Sequence, residues 1–209
     1  LLVLMEENTV AVLVRQTYLD RKTERAAELK IERLHRNGAK PAPLDPVTFA
    51  RQLRSTAAFV KGTATLFADW AEGFKQHPNT LPAADQEYCQ KLGGDPNIYY
   101  YHGYFNLADD EALVIEADEI PDCDNWNFQL NNYWMESLEY RYVDIHVNKH
   151  TAKYRPDGGV RIVVSARDPG CDNWLDTTGH REGTMAFRWI GADRIVDPRC
   201  RVVKLSELS

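Results

Sequence analysis

Two hydrophobic periods divide this chain. Between residues 45 and 75 apolar positions recur every third or fourth residue, at Phe49, Leu53, Ala57, Val60, Ala64, Phe67, Ala71 and Phe74. That spacing predicts one long amphipathic helix, with the stripe read as core packing. Asp45 before Pro46 is a start signal, an acidic cap followed by a proline preset for the first helical turn, and His77-Pro78 ends the element. A short second helix is expected over residues 83–91, stopped by Gly93-Gly94-Asp95-Pro96. After Pro96 the period drops to two. NIYYYHGYF, ALVIEA, WNFQLNNYW, YRYVDIHV, VRIVVSA, TMAFRWI and RVVKL read as strands separated by Gly, Pro and Asp turns. Ahead of the helix, LLVLM and VAVLV flank the polar EENT as a hairpin. AELKIERL is a third strand or a short helix, and NGAKPAPLDP is a loop.

The expected architecture is α+β and mostly β. It is an antiparallel, jelly-roll-like β-sandwich in a single domain over 1–209, comprising a hairpin region (1–36), a helical insertion (45–91) and the main sandwich (97–209). At 209 residues, 44% of them hydrophobic, the chain can build an ordinary core without a metal or disulfide staple. A net charge of −6 argues against a nucleic-acid surface, which needs clustered Lys and Arg. The mixed-charge run 20–33 reads as a solvated face. No apolar run approaches the ~18 residues of a membrane span, and LLVLM leads into Glu6-Glu7-Asn8 rather than a signal cleavage site. Leu1 falls inside the first strand pattern, so the sequence reads as a piece of a longer chain, with a cytoplasmic setting expected. Cys89, Cys123, Cys171 and Cys200 lack CxxC or zinc spacing and read as free thiols. Whether Cys123 pairs with Cys171 depends on the fold.

Candidate chemistry gathers around a repeat. PDCDNW starts at Pro121 and PGCDNW at Pro169. The first reads as a turn feeding Trp126 into a strand. The second heads DPGCDNWLDTTGHREG (168–183), the densest polar connection in the chain. Asp176 and His180 there could form an oriented acid–base pair, although no GxSxG or other convincing nucleophile accompanies them. The alternative is a turn in which Asp176 caps backbone amides while Trp174 and Leu175 plug the core. In YVDIHVNKH, Asp144 and His146 share a strand face. With His180 they are candidate metal ligands, and no cofactor is otherwise implied. His102 reads as a packed imidazole. The β half is rich in Tyr and Trp, which can stack sugars or other flat ligands. Asn173, Trp174, Arg181 and Tyr142 are the candidate ligand contacts.

DPGCDNWLDTTGHREG resembles the NWL[DP]T-x-GH-x-G segment of the bacterial family called domain of unknown function 1214. The likeness extends through DEALVIE, WNFQLNNYWMESLEYR, the His-Val-Asn of HVNKH and PDGGVRIVVSARDPG, and includes LVRQTYLD and PAPLDPVTFARQL. It implies a β-rich sandwich with a helical insertion, often beside a companion domain that would precede Leu1, and no established activity. The residues carried over are Asn173, Trp174, Leu175, Asp176, Gly179, His180 and Gly183. Asn125 departs from the family pattern, and Cys171 falls at a variable position. The leading expectation is a soluble sandwich domain that binds a small molecule or supports a partner domain or a homo-oligomer. The rival is a hydrolase or lyase using His180 with Asp176.

Overall fold

A computed structural model describes residues 12–20, 22–31 and 43–208. The chain divides into two units, Leu1–Pro41 and Ala42–Ser209. In the first, residues 12–20 and 22–31 hold a turn near Thr23 and neither strand nor helix. Most of the expected hairpin, and the end of AELKIERL, lie outside the described residues.

In the second unit two helices precede eight strands: α1 (Pro46–Lys75), α2 (Gln86–Lys91), β1 (Ile98–Asn106), β2 (Glu111–Ala117), β3 (Asn125–Leu130), β4 (His146–Asn148), β5 (Val160–Ser165), β6 (Trp174–Asp176), β7 (Glu182–Ile190) and β8 (Arg199–Lys204). They form two four-stranded sheets, β1-β7-β3-β4 (sheet A) and β6-β5-β2-β8 (sheet B). Pairing is antiparallel except between β5 and β6. The mostly β sandwich expected from the period-two segments is therefore present. Six expected strands match closely in place. YRYVDIHV (140–147) contributes only His146 and Val147 to β4, because its first residues, 140–142, form a turn. β6 falls inside the connection read as a loop.

The core lies between the sheets. Tyr101, Phe105, Trp126, Phe128, Phe187 and Trp189 from sheet A meet Leu113, Ile115, Ile162 and Val164 from sheet B. Trp126 stacks on Phe187, with centroids 5.8 Å apart and planes at 10°. Its Nε1 donates to Tyr154 Oη (3.2 Å), and Trp189 Nε1 donates to the Val196 carbonyl (2.9 Å), so both indoles are buried with their polar edge satisfied. β2 and β5 read as near-continuous apolar runs because their second face is covered too. Ala112, Val114, Val163 and Val203 form a smaller cluster beneath Cys171, Trp174, Leu205 and Leu208.

α1 begins as its sequence dictates: Asp45 accepts a hydrogen bond from the Thr48 amide (2.7 Å), and Pro46 occupies the first turn. Its apolar stripe does not act as core along its length. Ala71 is buried and Phe67, Trp70 and Phe74 are half-buried, but Phe49, Leu53 and Val60 are 49–61% exposed. Thirty residues of helix span about 45 Å, whereas the nine-residue β1 beneath it spans about 30 Å, so the first turns overhang the sheet. α2 starts at Gln86, later than expected. The residues before it instead cover the free edge of β1, with Asn79 and Ala84 amides donating to the Tyr104 and Tyr100 carbonyls (2.6 and 2.9 Å).

Beneath the last turns of α1, His102 packs against Phe74 and Trp70 at centroid distances of 5.2 and 6.4 Å. Burial, with the Arg188 guanidinium nearby, brings its pKa down to about 4 from the ordinary 6.5. The unfolded chain therefore binds a proton that the folded chain refuses between those values. Stability should fall as pH drops from about 6.5 to 4, by up to about 3 kcal/mol. Urea unfolding of wild type and His102→Gln across that range checks this, the variant showing a flatter profile.

Candidate functional site

Where the β4 edge of sheet A approaches the β6 edge of sheet B, a cleft of about 330 Å³ opens, lined among others by Asp144, His146, Lys153, Asp168, Asp172 and Trp174. The two edges are stitched by the Asp176 amide, which donates to the Asp144 carbonyl (2.9 Å). Residues from three separate stretches of chain meet here, and three of the six named are carboxylates.

The walls are held by the second hexapeptide. Asp168 Oδ1 accepts from the Gly170 amide (2.7 Å), and Gly170 turns the chain at φ 79°. Asn173 also lies in the left-handed region (φ 55°), where a short polar side chain can bond locally. Its Nδ2 donates to the Lys153 and Arg161 carbonyls (2.8 Å each), and its Oδ1 accepts from the Lys153 amide (2.8 Å). Its amide group is thus committed to backbone, pinning β6 to β5 and to the segment carrying Lys153. Trp174 Nε1 donates to Ser165 Oγ (2.9 Å) while its ring borders the cleft. Burial, then the charge of Asp168, pushes the Cys171 thiol up, so it stays protonated and is a poor nucleophile. Asp144 and Asp172 are exposed lining residues whose carboxylates accept no hydrogen bond from any described residue.

Asp144, His146, Asn173 and Trp174 come together here as cleft-lining residues. Asp176, His180, Arg181 and Tyr142 do not line it. Asp176 Oδ1 accepts from the Thr178 amide (2.7 Å), capping a turn through Thr178 (φ 50°) and Gly179 (φ 81°). His180 beyond it is exposed, and among the described residues no hydrogen bond joins its imidazole to Asp176. Arg181 pairs with Asp109 at 2.9 Å, both side chains more than two-thirds exposed, an arrangement worth little in stability. Tyr142 is 82% exposed beside Arg141. Among the described residues no three His, Cys, Asp or Glu side chains form a metal-binding group, so Asp144 and His146 do not converge with His180. Lys153 was missed by sequence reasoning and carries no local signal; Asp168 and Asp172 stood out only as members of the polar connection 168–183. All four cysteines are free: Cys123 belongs to the core between the sheets and Cys171 packs on the outer side of sheet B, which separates them.

The fold and cleft define a two-sheet β-sandwich with a polar site at one sheet junction. Among solved structures the chain is similar to an uncharacterized protein from Burkholderia cenocepacia, at 59% identity and a TM-score of 0.87 over 92% of this chain. It spans about half (53%) of that protein's length. A Vibrio parahaemolyticus structure matches at 18% identity over 55% of this chain and 33% of its own, with a TM-score of 0.42. No protein-family model and no curated protein matches the chain.

Proposed function

We propose that the protein binds a polyhydroxylated, carbohydrate-like small molecule in the β4–β6 cleft. The supporting observation is the juxtaposition of the Asp144 and Asp172 carboxylates with Lys153, His146 and an indole wall at Trp174. Carboxylates accept hydrogen bonds from vicinal hydroxyls, and an indole covers the apolar face of a sugar ring. The acid–base reading of Asp176 with His180 lacks the hydrogen bond that would orient the imidazole. Membership of the domain of unknown function 1214 family remains our reading, carried by the NWLDTTGHREG run. The companion domain it implies is in keeping with the greater length of the Burkholderia protein. Free thiols throughout suit a reducing, cytoplasmic setting; among the described residues no helix is long and apolar enough to cross a membrane.

The test is a thermal-shift screen of mono- and disaccharides against wild type, Asp144→Ala and Asp172→Ala. A ligand present at about 100 times its Kd should stabilise the wild type by about 2.7 kcal/mol, and the two variants much less. Equal shifts in all three proteins, or none in any, would sink the assignment.

A further inference from the structure

The outer face of sheet A is unusual in what it lacks. Register places Tyr100, Arg188, Asn127 and Asn148 in one row across β1, β7, β3 and β4. The adjacent same-face row is His102, Ala186, Gln129 and His146. Neither row contains an Asp or Glu, although Arg188 stands on a central strand, half-buried. Its one hydrogen bond to a described residue runs from Nη1 to Asn127 Oδ1 (3.0 Å), and it forms no ion pair with any of them. Arg155, also only partly exposed, pairs with Glu116, Asp118 and Asp157. Glu182, on the same strand but at its far end opposite Asn106, is paired with Lys75 (3.2 Å).

A guanidinium held in partly desolvated surroundings without a counter-charge is costly unless something anionic meets it. Burial holds Arg188 below its ordinary range. Arg188 is half-buried and so keeps some contact with solvent, and it is not among the described residues whose side-chain polar atoms are both sealed and unpartnered, Tyr104 Oη and Thr177 Oγ1. We propose that Arg188 anchors a second binding site, on the outer face of sheet A, for a small organic acid whose carboxylate pairs with the guanidinium fork. A carboxylate fits that fork with two parallel N–H bonds. The side-chain amides of Asn127 and Gln129 border the anchor on β3. Ala186 is the small residue between His102 and Gln129, and Tyr100 stands beside Arg188 on β1, on the side opposite Asn127, for the body of the ligand.

The site is tested by titrating benzoate and acetate, with inorganic phosphate as the competing arm, at matched ionic strength. The proteins are wild type, Arg188→Lys, Arg188→Met and Asp144→Ala. Saturable carboxylate binding should persist in Asp144→Ala, which separates this site from the cleft. It should weaken by about tenfold or more in Arg188→Lys, which keeps the charge but loses the fork, and vanish in Arg188→Met. Should Arg188→Met not fold, the wild-type side-chain amide NMR signals of Asn127 and Gln129 decide: carboxylate-dependent shifts support the site, and unmoved signals overturn it. Binding that is equal in wild type and Arg188→Met, absent in wild type, or matched by phosphate also overturns it.

Discussion

Gly183→Ala should destabilise the protein by about 3 kcal/mol or more. Gly183 is the second residue of β7 and pairs with Phe105. A Cβ there would collide with the Asn131 carbonyl oxygen and lie 2.8 and 2.9 Å from Phe105 Cε1 and Cζ. Neither neighbour can give way cheaply. The carbonyl belongs to backbone just past β3, and the Phe105 ring is fully buried. β7 cannot shift either, because it is hydrogen-bonded to strands on both sides. Two controls separate crowding from backbone effects. Gly179→Ala meets open space but at φ 81°, so it should cost only about 1–2 kcal/mol. Gly62→Ala, in the helix with nothing within 4 Å, should stabilise by about 1 kcal/mol. Urea midpoints for the three variants check the order.

Asn173→Ala should cost roughly 2–3 kcal/mol, the sum of three partly exposed hydrogen bonds and a left-handed backbone angle that alanine resists. Asn173→Gly isolates the two contributions. It relieves the backbone angle and still loses the bonds to Lys153 and Arg161, so its melting temperature should fall between those of wild type and Asn173→Ala. Because this side chain fixes β6, both variants should also weaken any ligand held in the cleft, while leaving the Arg188 face unaltered.

Much of the sandwich is legible because strand burial leaves a period in sequence: Trp126, Phe128 and Leu130 point inward while Asn127 and Gln129 point out. The helix was equally legible as a helix, but not its environment. A stripe such as Phe49, Leu53 and Val60 reports amphipathicity, and cannot say whether anything lies against it. β6 escaped notice because three residues carry no period. The two hexapeptides show the same limit for chemistry. PDCDNW sends Cys123 and Trp126 into the main core, and PGCDNW sends Cys171 and Trp174 to the far side of the other sheet. Asp176 and His180 illustrate the converse problem, since an aspartate that caps a turn and one that orients an imidazole are spelled identically. The cleft residues come from segments that only tertiary pairing brings together, and Lys153 had no local mark at all.

The position of β7 sets the order in which the protein can form. It is the seventh of the eight strands among the described residues, yet it lies between β1 and β3, joining Ile98 to Ile190 and Asn125 to the same residue. During synthesis the aromatic faces of β1 and β3 must wait for some sixty to ninety further residues before their shared partner emerges. Until then β1 has no strand partner among the described strands, and β3 has only the three-residue β4. Closure of sheet A is thus a late, long-range event, and the nascent chain is at its most vulnerable to misassociation just before β7 arrives.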